Sequence, residues 1–174
     1  MAAPVSELEV FRLAKDEFFM SDPRSPLTLA QRKAFVGLEY FPEEPDLVIV
    51  TDLDTDVDPA SLEIPTTTGD LQVYRRAGLV RFTVVGLPTQ LTLFAADGRD
   101  SLFVPFRDAT SGDETYGGGR YLDVEPPVNG RVVVDLNLAY NPWCAYNPSW
   151  SCPLPPPENR LEVPIRAGEL TFEV

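Results

Sequence analysis

From Leu47 onward, apolar and β-branched residues alternate with polar ones in short runs broken by turn signals. The stretches LEIPTTTGDLQVYRR, VYRRAGLVRFTVV, FTVVGLPTQLTLF, LTLFAADGRDSLFV and YLDVEPPVNGRVVVDL each predict strand, tight loop, strand. Their loops centre on Thr68-Gly69, Ala77-Gly78, Gly86-Leu87-Pro88, Asp97-Gly98 and Asn129-Gly130. Asp-Gly and Asn-Gly supply the positive-φ positions that a hairpin turn requires. Loops this short cannot carry parallel crossovers, so neighbouring strands must run antiparallel. The pattern predicts a mainly β fold, an antiparallel meander of roughly eight to ten strands closed or rolled into a barrel-like sheet, because free edges must be paired or covered.

The first forty residues follow a different period. Leu8, Phe11, Ala14, Lys15, Phe18 and Phe19 recur at helical spacing behind Ser6, a predicted N-cap. SDPRSP breaks this helix; Thr28 then caps a second, LAQRKAF, which Gly37 is expected to end. Both short N-terminal helices are read as a cover for the sheet. The chain is thus expected to be a single domain over 1–174, with a helical cover at 1–40, the meander at 47–138, and an aromatic, Pro-rich segment with a last strand at 139–174. That final segment carries the tandem repeat Ala139-Tyr-Asn-Pro and Ala145-Tyr-Asn-Pro, then PLPPP, which favours polyproline conformation.

Composition narrows the chemistry. A net charge of −13, with Lys15 and Lys33 the only lysines, repels phosphate backbones and anionic lipid, so neither nucleic acid nor membrane is an expected partner. The chain has no histidine, which removes Ser-His-Asp and Cys-His nucleophile activation and every histidine-ligated metal site. No metal or cofactor is expected. The N-terminus mixes charges where a signal peptide needs an apolar run, and no stretch has the length of a membrane span, so the expected location is cytoplasmic.

The motifs KDEFF, SPLT…QRKAFVGLEYFP, FVPFRDATSGDETYGGGRYLD, DLNLAYNPWCAYNPSWSCPLPPPENRL and IRAGE together resemble the uncharacterised family catalogued as domain of unknown function 1684. The resemblance runs from Lys15 to Glu169 and implies no activity, so function must be argued from the residues.

Four constellations carry candidate chemistry. In FRDATSGDETYGGGRYLD, Arg107 leaves a strand end and Arg120 starts the next strand behind Gly117, Gly118 and Gly119. If the segment folds back, two guanidiniums beside bare peptide would suit a carboxylate or phosphate. Asp108, Thr110 and Tyr116 would complete that site, whereas the competing reading makes Arg–Asp pairs mere locks on a loop. In VVVDLNLAY, alternation places Asp135 and Asn137 on one face, with Tyr140 and Asn141 adjacent, as a polar rim or lumen. Tyr116 or Tyr140 would donate a hydrogen bond, and Asp135 or Asp108 would be the base if there is catalysis.

Cys144 and Cys152 are a disulfide candidate, although a reducing cytoplasm would keep them as thiols. Asp52, Asp54, Asp56 and Asp58 lack the glycine and closing glutamate of a calcium loop and are read as a solvated strand edge. The sequence therefore predicts a small anionic ligand at a barrel rim. The alternative is an interaction module using the aromatic, Pro-rich C-terminal segment.

Overall fold

A computed structural model describes residues 5–173. Helix α1 spans Glu7–Ser21 and α2 spans Leu29–Ala34. Each opens with a capping box: Ser6 with Glu9, and Thr28 with Gln31, so that side chains satisfy backbone N–H groups that have no helical partner. Asp22 ends α1 immediately before Pro23. Helix α2 ends at Ala34, ahead of Gly37, because Phe35 is already extended.

The helices do not lie on the sheet as expected. Phe19 is the buried residue of α1, and its ring meets Tyr146 edge-on at 4.9 Å in a cluster with Leu27, Phe35 and Phe172. Val10, Leu13 and Met20 remain exposed, so α1 buries too narrow a stripe to cover strands and instead caps the C-terminal segment.

Seven strands form: β1 Val48–Asp52, β2 Ser61–Pro65, β3 Leu71–Val84, β4 Leu87–Ala95, β5 Leu102–Phe106, β6 Arg120–Val124 and β7 Arg131–Asp135. Every ladder is antiparallel. The count falls below expectation for two reasons. Ala77-Gly78 is not a turn but a bulge within the 14-residue β3, where the register shifts between Arg76 and Gly78. A Cβ at Gly78 would stand 2.8 Å from the Asp54 carbonyl oxygen, so the glycine admits a neighbouring chain. The expected last strand is also absent among the described residues. Val163, Ile165 and Ala167 instead thread the core in alternation, with Pro164 between them unable to donate to a ladder.

Strands β2-β3-β4-β5-β6 make one sheet, in that order, and β1-β7 a separate ribbon. Single bridges, Asp54 to Leu79 and Tyr121 to Tyr140, tie the ribbon's continuations to β3 and β6. No continuous ladder closes the circuit among the described residues. Beyond Asp52 the aspartate run leaves the strand. Asp54 and Asp58 accept bonds from the backbone two residues on, and Asp54 pairs with Arg81 at 2.7 Å.

The larger sheet is covered on both faces, which is why its β5 strand, LFVPF, reads as a continuous apolar run. One face sends Leu91, Leu93, Val104, Phe106 and Leu122 against Val132, Val134, Ile165 and Ala167. The other sends Ile64, Tyr74, Phe94, Phe103 and Tyr121 against Cys144 and Cys152. This second, aromatic layer positions the candidate site.

Candidate functional site

The segment between β5 and β6 folds inward. Arg120 has no exposed surface, and its guanidinium donates to the carbonyls of Ala167, Ile165 (2.8 Å) and Glu169 (3.3 Å). Asp108 stands 3.5 Å away as counter-ion, accepting bonds from the Thr110 hydroxyl and, at 2.6 Å, the Ile165 N–H. Burial presses the Arg120 pKa down while Asp108 opposes it. Arg107 is half-buried, and its backbone exchanges bonds with Asn159 and Leu161. The two guanidiniums therefore do not meet around a hollow.

The glycines serve packing. A Cβ on Gly118 would stand 2.4 Å from the Tyr116 ring, and Gly119, at φ +93°, lies where a Cβ would approach the Phe106 carbonyl oxygen to 2.5 Å. The bare peptide faces protein atoms here.

Asp135 and Asn137 do not share a strand face. Asp135 closes β7 and caps a 3₁₀ turn, Leu136–Leu138, that carries Asn137 inward. The Asn137 amide bonds both the N–H and the C=O of Glu44, so the pair pins the chain entering β1. Asn141 is buried: its N–H donates to the Glu169 carboxylate and its Nδ2 to the Leu170 carbonyl, leaving Oδ1 without a partner. Glu169, itself buried, also takes Lys15 and the Tyr146 hydroxyl, which together latch α1 to the body.

Tyr140 has a different position. It helps line a cavity of about 250 Å³ between the outer face of the larger sheet and the C-terminal segment, with Tyr74, Phe103, Tyr121, Trp143, Trp150, Arg99 and Cys152. The Trp143 and Trp150 rings meet edge-on at 4.7 Å, each a little over one-third exposed. Phe103 stacks on Tyr74 at 5.5 Å and meets Tyr121 edge-on at 4.7 Å. Burial raises the pKa of Tyr74, Tyr121 and Tyr140, the last with help from Asp123, so these phenols stay protonated. Their hydroxyls are committed to the Gln72 side chain, the Pro153 carbonyl and the Asp123 carboxylate.

Arg99 lies 4.5 Å over the Phe103 ring and gives Nη2 to Asp123 at 2.7 Å. The same guanidinium lies close enough to the Tyr74 and Tyr140 hydroxyls to oppose the upward pressure of burial on both. A larger groove of about 630 Å³ runs beside the β3–β4 turn, but Glu44 and Asp46 line it and its Arg166 is paired with Glu114.

Cys144 and Cys152 adjoin the cavity as free, buried thiols. The Cys144 N–H points at Cys152 Sγ over 3.3 Å, and the Tyr116 hydroxyl lies 3.7 Å from Cys144 Sγ. Burial, then this contact with Cys144, pushes the Tyr116 phenol up to about 12. No group of three or more His, Cys, Asp or Glu side chains is placed to hold a metal, and no helix is long and apolar enough to cross a membrane, among the described residues.

Of the residues the sequence singled out for a ligand, Tyr140 lines this cavity; Cys152, read there only as a disulfide candidate, lines it too, and sequence reasoning missed Gln72, Tyr74, Arg99, Phe103 and Tyr121. The available signal was the set of aromatic residues opposite the core face of β3, β5 and β6.

These features define a mainly β, antiparallel protein of two sheets, with an aromatic cavity on the outer face of the larger one. The chain belongs to the family described as protein of unknown function DUF1684, which matches residues 33–170. It is similar to an uncharacterised protein from gene locus rrnAC0354 of Haloarcula marismortui, known from a solution NMR structure. The two share 39% identity over 95% of this chain and 92% of that one, with a TM-score of 0.72. No curated protein matches.

Proposed function

We propose that the larger sheet and the β1-β7 ribbon act as one barrel-like wall, and that the aromatic cavity at its rim binds a small planar molecule carrying a carboxylate or phosphate. The observation that carries this reading is Arg99, which is part-exposed at the cavity above a layer of aromatic rings, with Asp123 as its one carboxylate partner. A volume of about 250 Å³ lies just under the roughly 300–1,000 Å³ of drug-sized sites, which favours a single substituted ring. The acidic surface leaves nucleic acid and anionic membrane outside the proposal, and the setting proposed is the cytoplasm.

The test is a thermal-shift screen of aromatic carboxylates and monophosphates, followed by titration of tryptophan emission. A ligand that raises Tm in the parent, but not in Arg99→Gln or Trp150→Ala, supports the site. Equal binding by Arg99→Gln, or no hit that alters Trp emission, refutes it.

A second reading is favoured by the exposure of Trp143, Trp150 and Leu154 along one edge, which suits docking of a protein partner. Size-exclusion mass above that of one chain, lowered by Trp143→Ala, would favour that alternative.

A further inference from the structure

We propose that Cys144 and Cys152 are a dithiol that a small hydroperoxide oxidises to a disulfide, closing the 145–151 loop in the wall of the aromatic cavity. The inference is independent of whether the cavity holds a ligand. It rests on how the two sulfurs are held together and on what can reach them.

The 3₁₀ turn Trp143–Ala145 aims the Cys144 N–H at Cys152 Sγ over 3.3 Å, so the pair is juxtaposed before any bond forms. Cys152 is anchored from the other side: its N–H donates to the Thr67 hydroxyl, and its carbonyl accepts the Thr67 N–H. The Tyr116 hydroxyl, 3.7 Å from Cys144 Sγ, can donate to a thiolate there. Hydrogen bonding from Cys152, and then from Tyr116, holds the Cys144 thiol below its ordinary value; the same contact with Cys144, then burial, pushes Cys152 up. The Tyr116 hydroxyl beside its sulfur makes Cys144 the nucleophile, with Cys152 the resolving thiol.

Access selects the oxidant. Both cysteines lie less than one-tenth exposed, and Cys152 lines the cavity. The net charge of −13 also disfavours anionic thiol reagents, whereas a neutral hydroperoxide is small and unrepelled.

The step balances. The Cys144 thiolate attacks the peroxide oxygen, the O–O bond breaks, and hydroxide or alkoxide leaves with the electron pair and takes up a proton. The resulting sulfenic acid is attacked by Cys152, which forms the S–S bond and releases water. The two thiols supply two electrons, and the hydroperoxide is reduced.

The test uses the full chain, reduced and desalted, treated with a small excess of hydrogen peroxide. Intact mass should fall by two hydrogens, both cysteines should resist alkylation in denaturant, and dithiothreitol should reverse both changes. Trp143 and Trp150 flank the pair, so tryptophan emission should change in step with the mass. In Cys152→Ser, a cyclic 1,3-dione should label Cys144; Cys144→Ser should take no label. Two alkylatable thiols in the parent after peroxide would overturn the proposal, and this readout needs no variant to fold. Dione labelling of Cys152, or a bond between chains, would overturn it as well.

Discussion

Arg120, on β6, and Arg99, in the turn between β4 and β5, lie against opposite faces of the same sheet in two different settings. Arg120 is enclosed, its two Nη atoms given to three carbonyls with Asp108 beside them, and only Nε left without a partner. Arg99 sits at the surface, shares one nitrogen with Asp123, and keeps the rest of its fork over a cavity. The contrast shows that an arginine beside glycines says little until its partners are counted. Enclosure among carbonyls makes Arg120 a lock, whereas the exposure of Arg99 is what the proposed site depends on.

The harshest way to break that contrast is Arg120→Met. It strands Asp108 and several carbonyls in the core and should cost about 3–5 kcal/mol, read by urea unfolding. Arg120→Lys should recover little, because one ammonium cannot reproduce the fork. A loss under about 1 kcal/mol would show that Arg120 is not a lock.

Gly119→Ala comes next. Its φ of +93° costs roughly 1–3 kcal/mol for a residue with a side chain, before the clash with the Phe106 carbonyl is added. Equal stability of this variant would mean that the turn has slack for a ligand to use.

At the cavity the signature should invert. Trp150→Ala should leave unfolding within about 1 kcal/mol of the parent yet weaken any ligand found by the screen at least about tenfold. Loss of fold and binding together would make the tryptophan pair a structural staple.

The smallest effect concerns Arg76 and Glu158, bonded at 2.7 Å where the PLPPP segment meets β3. The Arg76 side chain holds the Glu158 pKa below its ordinary 4.5. A carboxylate depressed in the folded state stabilises above its unfolded pKa, and that stability is lost as pH falls through the folded value. Glu158→Gln should therefore cost no more than about 1 kcal/mol at neutral pH, given partial exposure. The difference from the parent should shrink as pH drops below 4.5. A gap that persists in acid would assign it to packing.

Much of the architecture was legible because it rests on local signals. The caps at Ser6 and Thr28 and the turn at Asn129-Gly130 are written in adjacent residues, and all form. Ala77-Gly78 misled because a bulge and a turn both call for a glycine, and only the approach of Asp54 distinguishes them. The aromatic layer was half legible. Alternation put Phe103 and Val104 on opposite faces of β5, but nothing local says that the 140–153 segment returns to cover the Phe103 side. Arg120 was misplaced for the same reason: its partners lie 45 to 49 residues downstream.

That separation has a consequence for how the chain matures. Ile165, Ala167 and Glu169 leave the ribosome after all seven strands have emerged, yet their carbonyls replace the water around the hidden cation on β6. Until they arrive, the guanidinium must stay wetted, and the core face of β6 cannot dry. Completion is thus a late, all-at-once event. Nascent chains halted before Ile165 should remain sensitive to protease around β6.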